Sequence, residues 1–107
     1  MIKTVEINGK QVPFKATGST LSRYRAKFNS DLLSDYQKVT ASELGGEALE
    51  ICLRIAYIMA KQADPSIPDD PWEWVDQFEV FPVIDVLPQV ITLWSDSMGT
   101  LSQPKNV

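Results

Sequence analysis

The side chains of this 107-residue chain that could carry chemistry are carboxylates, hydroxyls, lysines and one thiol; histidine is absent. Its absence removes the commonest general base, metal ligand and member of nucleophilic triads. Asp64, Asp69, Asp70, Glu73, Asp76 and Glu79 crowd into one stretch and could offer oxygen ligands to a hard cation. Their spacing fits no calcium loop, and capping nearby helix starts is use enough for them. No Cys/His metal spacing and no phosphate-cradling glycine loop occurs. Cys52, the single cysteine, lies in an apolar helical pattern, so it reads as a packed thiol and excludes an internal disulfide. No spacing selects a nucleophile together with its base. No catalytic residue, cofactor or metal is expected, and the chain does not read as an enzyme.

What remains is surface for binding. Arg23-Tyr24-Arg25-Ala26-Lys27-Phe28 mixes basic and aromatic residues, as nucleic-acid surfaces do. Helical spacing sorts them: Leu21, Tyr24 and Phe28 fall on one face, and Arg23 and Lys27 share another. The basic face formed by Arg23, Arg25 and Lys27 suits solvent first, an acidic protein partner second and nucleic acid last. Trp72 and Trp74 lie two apart, so on a helix they cannot both face one core. The simplest expectation packs all three tryptophans against the apolar stretch 49–60, whereas an exposed ring would mark an interface. A groove between the last two helices, lined by Trp72, Trp74, Phe78, Phe81 and Trp94, would receive an amphipathic partner helix.

The elements that must position these residues can be read in order. Residues 2–7 and 10–15 alternate around Asn8-Gly9, which supplies the two positive-φ positions of a type I′ turn and predicts a β-hairpin. Pro13 lacks a donor and belongs on an outward-facing edge. Gly18-Ser19-Thr20 offers caps for a helix over 21–28, Asn29 marks a bend, and Ser30 or Asp31 can cap a short helix with Leu32, Leu33 and Tyr36. Thr40-Ala41-Ser42-Glu43 fits a capping box, but Gly45-Gly46 follows at once and leaves the next helix start open by several residues. Residues 47–63 are apolar on nearly every side and predict the central helix, stopped by Asp64-Pro65. Asp70-Pro71-Trp72-Glu73 is a strong start for a short helix holding Trp72, Trp74, Val75 and Phe78. A last helix begins at Phe81 or Pro82 and runs to Met98, kinked by Pro88 and stopped by Gly99.

The expected fold is therefore mainly α with a short N-terminal β-hairpin, a single-domain helical bundle over 1–107. Residues 1–16 form the hairpin, 20–98 the helical part and 99–107 a flexible tail. The stretch 49–60 is too short to cross a bilayer and is interrupted by Glu50 and Arg54, and the N-terminus carries no secretory pattern. Charge is uneven. Residues 1–38 hold seven Lys/Arg against three Asp/Glu, a balance of +4, and residues 39–107 hold three against eleven, a balance of −8. The halves either attract each other within one fold or drive self-association of unlike faces.

The order of these pieces resembles the small tail assembly chaperones of long-tailed phages and prophages of Gram-positive bacteria. Members of that family are similar in carrying a short N-terminal strand pair, an Arg-Tyr-Arg-x-x-Phe segment, and an apolar middle helix ending in an Ala-Lys-Gln run. A Trp-containing acidic turn and a final helix with Leu-Pro and Trp follow. Here the stretches 23–28, 58–63 and 70–78, and Leu87-Pro88 with Trp94, correspond. The resemblance implies transient binding to the tape measure protein, keeping it soluble while tail tube subunits are recruited. It places that work in the bacterial host cytoplasm, with the chaperone absent from the mature virion, and offers no catalytic residues to carry over. Many such genes also make a longer product by translational frameshift, through which the tail tube protein would be contacted. Pro104-Lys105-Asn106 is compatible with a CCA-AAA-AAC slippery run. The rival readings are a virion structural component, such as a head–tail joining protein, and a small nucleic-acid-binding regulator with salt-dependent affinity.

Overall fold

The computed structural model describes residues 2–41, 46–79, 81 and 83–102. Two antiparallel strands, β1 (Ile2–Ile7) and β2 (Lys10–Lys15), open the chain. Five helices follow: α1 (Thr20–Phe28), α2 (Leu32–Ala41), α3 (Gly46–Ala63), α4 (Pro71–Val75) and α5 (Val83–Ser102). This is the mainly helical bundle with an N-terminal hairpin that the sequence predicts.

The hairpin turns at Asn8 (φ 54°) and Gly9 (φ 79°), both in the left-handed region that a two-residue type I′ loop requires. The loop closes on the pair Ile7 and Lys10, and hydrogen-bonded pairs then alternate with non-bonded ones. Counting back places Thr4 opposite Pro13 at a non-bonded position, so the nitrogen of Pro13 faces away from β1 and no ladder bond is lost. Val5, Ile7, Val12 and Phe14 all point to one face and are buried. That face lies on α3 and α5, which is what a hairpin too small to stand alone needs.

Helix α3 is the axle of the molecule. It meets β2, α1, α2, α4 and α5, and Ile55, Ala56, Met59 and Ala60 are sealed from solvent. Cys52 is buried in it as expected, and burial pushes its thiol up from the ordinary cysteine range. No described helix is long and apolar enough to cross a membrane.

Side-chain bonds set the joints. Thr17 Oγ1 accepts from Gln62 Nε2 at 2.8 Å, and Thr20 Oγ1 donates to Gln62 Oε1 at 2.7 Å, tying the hairpin exit to the end of α3. Ser19 occupies the N-cap position of α1 but its side chain makes no cap bond. Asn29 (φ 53°) ends α1 in the left-handed conformation, its N–H bonding to the carbonyl oxygen of Arg25 at 2.8 Å, which makes the expected bend. Asp31 Oδ1 then accepts from Leu33 N at 3.2 Å at the head of α2.

Some expectations are corrected. Thr40 and Ala41 are the last residues of α2; Ser42, Glu43 and Gly45 of the expected capping box and its glycines lie outside the described residues. Phe78 falls in the turn beyond α4, which ends at Val75. Helix α5 passes through Gly99 and reaches Ser102, so the first four residues of the expected flexible tail are helical and the rest lie outside the described residues. Pro88 sits inside α5, where Gln89 Nε2 donates to the Asp85 carbonyl oxygen at 2.9 Å in the turn that proline deprives of a donor. Arg54–Glu50 and Lys61–Asp69 pair within the acidic half and Lys38–Asp35 within the basic half, while Lys38–Glu47 bridges the two on the surface at 3.9 Å.

Candidate partner-binding cleft

Helix α4 is delivered by the loop 64–70, and that loop is clamped from behind by α1 and α3. Lys61 Nζ donates to the carbonyl oxygens of Pro65, at 3.1 Å, and Ile67, and pairs with Asp69 Oδ1 at 3.1 Å. Tyr57 Oη donates to the carbonyl oxygen of Pro68 at 2.6 Å, and Lys27 Nζ to that of Asp69. The bond from Lys61 and its charge hold the Asp69 carboxyl below the usual range. Two bonds from Ser66 do the same for Asp64. Burial, with the charges of Asp69 and Asp70, pushes the Tyr57 phenol up.

With its entry fixed, α4 starts as its sequence dictates: Asp70 Oδ1 accepts from Trp72 N at 2.9 Å and Pro71 takes the first helical position. One turn then sends the two tryptophans apart. Trp74 is 1% exposed and Trp72 is 57% exposed. Trp74 sits edge-on to Phe14, Tyr57, Phe78 and Phe81, with ring centroids 5.7–6.4 Å apart. Trp72 instead flanks a cleft of about 300 Å³ between α1, α3 and α4, whose apolar wall is Phe28, Leu53, Pro71 and Val75. Lys27, Glu50, Arg54 and Asp70 supply its charged rim. Arg54 is fixed there by Glu50 at 3.1 Å and lies over the Phe28 ring at 5.5 Å.

The five aromatic residues expected in one groove are therefore divided. Trp74 and Phe78 belong to the core, with Phe78 only 9% exposed, and the half-buried Phe81 packs against both. Trp94 is buried elsewhere, its ring 4.7 Å from that of Tyr36 on α2. Only Trp72 is presented, and the groove lies beside α3, not between the last two helices. The expectation that all three tryptophans pack inward fails at Trp72, because two positions apart on α4 the two rings point to opposite sides of the helix.

Arg23, Arg25 and Lys27 are all exposed on α1. Arg23 and Lys27, four apart, border the same second cleft between α1 and α3; Arg25, two residues from each, does not line it. Leu53, Arg54 and Val75 escaped the sequence reading as site residues. The signal available was Leu53, an apolar residue on the side of α3 that the core does not need.

The acidic residues of 64–79 do not converge. Among the described residues no group of three or more His, Cys, Asp or Glu side chains is placed to hold a metal. The cleft offers an exposed indole, an apolar wall and charges of both signs. No protein-family model, curated protein or solved structure matches this chain.

Proposed function

We propose that this protein is a phage tail assembly chaperone that holds the tape measure protein in soluble form through the Trp72 cleft. The observation that carries the binding role is Trp72 itself. A 57% exposed tryptophan beside an apolar cleft leaves on its surface what a soluble domain otherwise hides. Covering the rest of that ring removes on the order of 100 Å² of apolar surface from water, about 2.5 kcal/mol. An interface anchored there gains much of its affinity from one residue. The clamp on 64–70 supports the same reading, since an anchor binds more tightly when its position is set before the partner arrives.

The identity of the partner rests on the order of motifs. The Arg-Tyr-Arg-x-x-Phe segment, the Ala60-Lys61-Gln62 helix end, the tryptophan turn and the Leu-Pro helix with Trp94 follow one another as in tail assembly chaperones. In this reading the chain acts in the host cytoplasm during tail morphogenesis and is not retained in the virion. A frameshifted longer product would carry the contact with the tail tube protein.

Co-expression with the tape measure protein of the same genome tests it. A soluble complex, with the tape measure protein insoluble alone, supports the proposal. A tape measure protein that is soluble unaided and does not co-purify removes it.

A further inference from the structure

The Trp72 cleft has a neighbour. A second cleft of about 340 Å³ opens between α1 and α3, and Lys27 stands on the ridge shared by both. Beneath that ridge Phe28, in the wall of the first, and Tyr57, in the wall of the second, meet edge-on with ring centroids 6.4 Å apart. The second cleft has Ala26, Tyr57 and Ile58 as its apolar part and Arg23, Lys27 and Lys61 around it.

The charges of these three cations are not equally spent. Asp69 is the one carboxylate lining the second cleft, and Lys61 takes it at 3.1 Å. Lys27 donates to a main-chain carbonyl and lies over the Tyr57 ring at 5.8 Å. Arg23 donates to the Ser19 hydroxyl at 2.9 Å. Neither Arg23 nor Lys27 enters an ion pair among the described residues. Beyond Arg23 the basic strip continues into a third recess of about 310 Å³ that includes Lys15.

We infer that the two clefts form one docking surface for an acidic amphipathic segment of a partner polypeptide, seating an apolar anchor beside Trp72 and carboxylates over Lys27 and Arg23. The inference rests on the partner-binding reading above and adds to it the chemistry of the segment bound. Charge complementarity selects this occupant. A basic segment would bring like charge onto Arg23 and Lys27, which enter no ion pair among the described residues. The apolar wall of Phe28, Leu53, Pro71 and Val75 beside Trp72 suits an aliphatic anchor, which duplex nucleic acid does not offer.

The test is selection from a displayed library of helical peptides, with apolar anchors fixed at helical spacing and flanking positions drawn from Asp, Glu, Lys and Gln. The full chain enriches acidic flanks, and the recovered peptides bind roughly tenfold more weakly to Arg23→Glu and to Arg23→Glu/Lys27→Glu. The single variant keeps the bond from Lys27 to the loop, so a loss there is not a loss of α4 placement. Enrichment of Lys flanks, absence of charge bias, failure to enrich any peptide, or affinity for duplex DNA that survives the presence of the peptides overturns the inference. A tape measure protein that co-purifies equally well with the double variant removes this inference and leaves the chaperone reading standing. Acidic peptides that bind while the tape measure protein does not co-purify with the native chain do the reverse.

Discussion

Trp72 and Trp74 are separated by one residue on a five-residue helix, and one lies in solvent while the other is sealed at 1% exposure. Their substitutions should therefore separate binding from folding. Trp72→Ala should change unfolding free energy by no more than about 0.5 kcal/mol, as exposed positions do. Trp74→Ala removes the ring that Phe14, Tyr57, Phe78 and Phe81 pack against and should cost about 3–5 kcal/mol. Urea denaturation of the two variants checks both values.

Lys61 holds the loop ahead of α4 by two main-chain carbonyls and one carboxylate. Lys61→Met keeps the apolar stem and deletes those bonds. A loss of about 1–2 kcal/mol is expected, discounted because the side chain is 30% exposed. Amide exchange at Trp72, whose N–H is capped by Asp70, should accelerate more than exchange in α3. Uniform acceleration would mean that the loop is not separately held.

Local chemistry made most of the fold legible in the sequence. Asn8-Gly9 dictates its turn through positive φ, Asp70-Pro71 dictates a helix start, and the all-round apolar stretch after Gly46 dictates a central helix. The site was less legible. That one of Trp72 and Trp74 must differ follows from helical spacing, but which one faces out depends on where the loop 64–70 is anchored. That is decided by Lys61, Tyr57 and Lys27, the last of them 42 residues from Asp69 in sequence. Trp94 looked like part of the same cluster by composition and is held instead by Tyr36. Gly99 does not stop α5, since a glycine weakens a helix by only about 1 kcal/mol and stops it only where a left-handed cap forms.

Alkaline pH should act through Tyr24. Its hydroxyl donates to Asp35 Oδ2 at 2.8 Å in a buried site, and Ser30 Oγ donates to the same oxygen at 2.7 Å. Burial first, then the bond to and the charge of Asp35, raise the phenol well above its ordinary value. A raised folded pKa means that the stabilisation is complete below the unfolded value near 10 and is lost as pH climbs from there toward the folded value. Stability should thus fall above about pH 10, and Tyr24→Phe should remove the Tyr24 share of that dependence, leaving that of Tyr57, at a cost of about 1 kcal/mol near neutrality. Phenolate absorbance followed alongside unfolding checks this; ionisation of all three tyrosines at the ordinary value in the folded protein would contradict it.

Gly9 stands at φ +79° with open space where a Cβ would go. Gly9→Ala should therefore cost only backbone strain, about 1–2 kcal/mol, and leave the register of Val5 against Val12 intact. Thermal melts and cross-strand nuclear Overhauser contacts measure the two effects.

The most direct test of the central claim is the affinity of the tape measure protein for the native chain and for Trp72→Ala, measured on folded protein. The account predicts a loss of roughly 2 kcal/mol, about thirtyfold in Kd, with stability unchanged. An affinity unaltered by removal of the indole would contradict it, and would place partner binding away from the cleft between α1, α3 and α4.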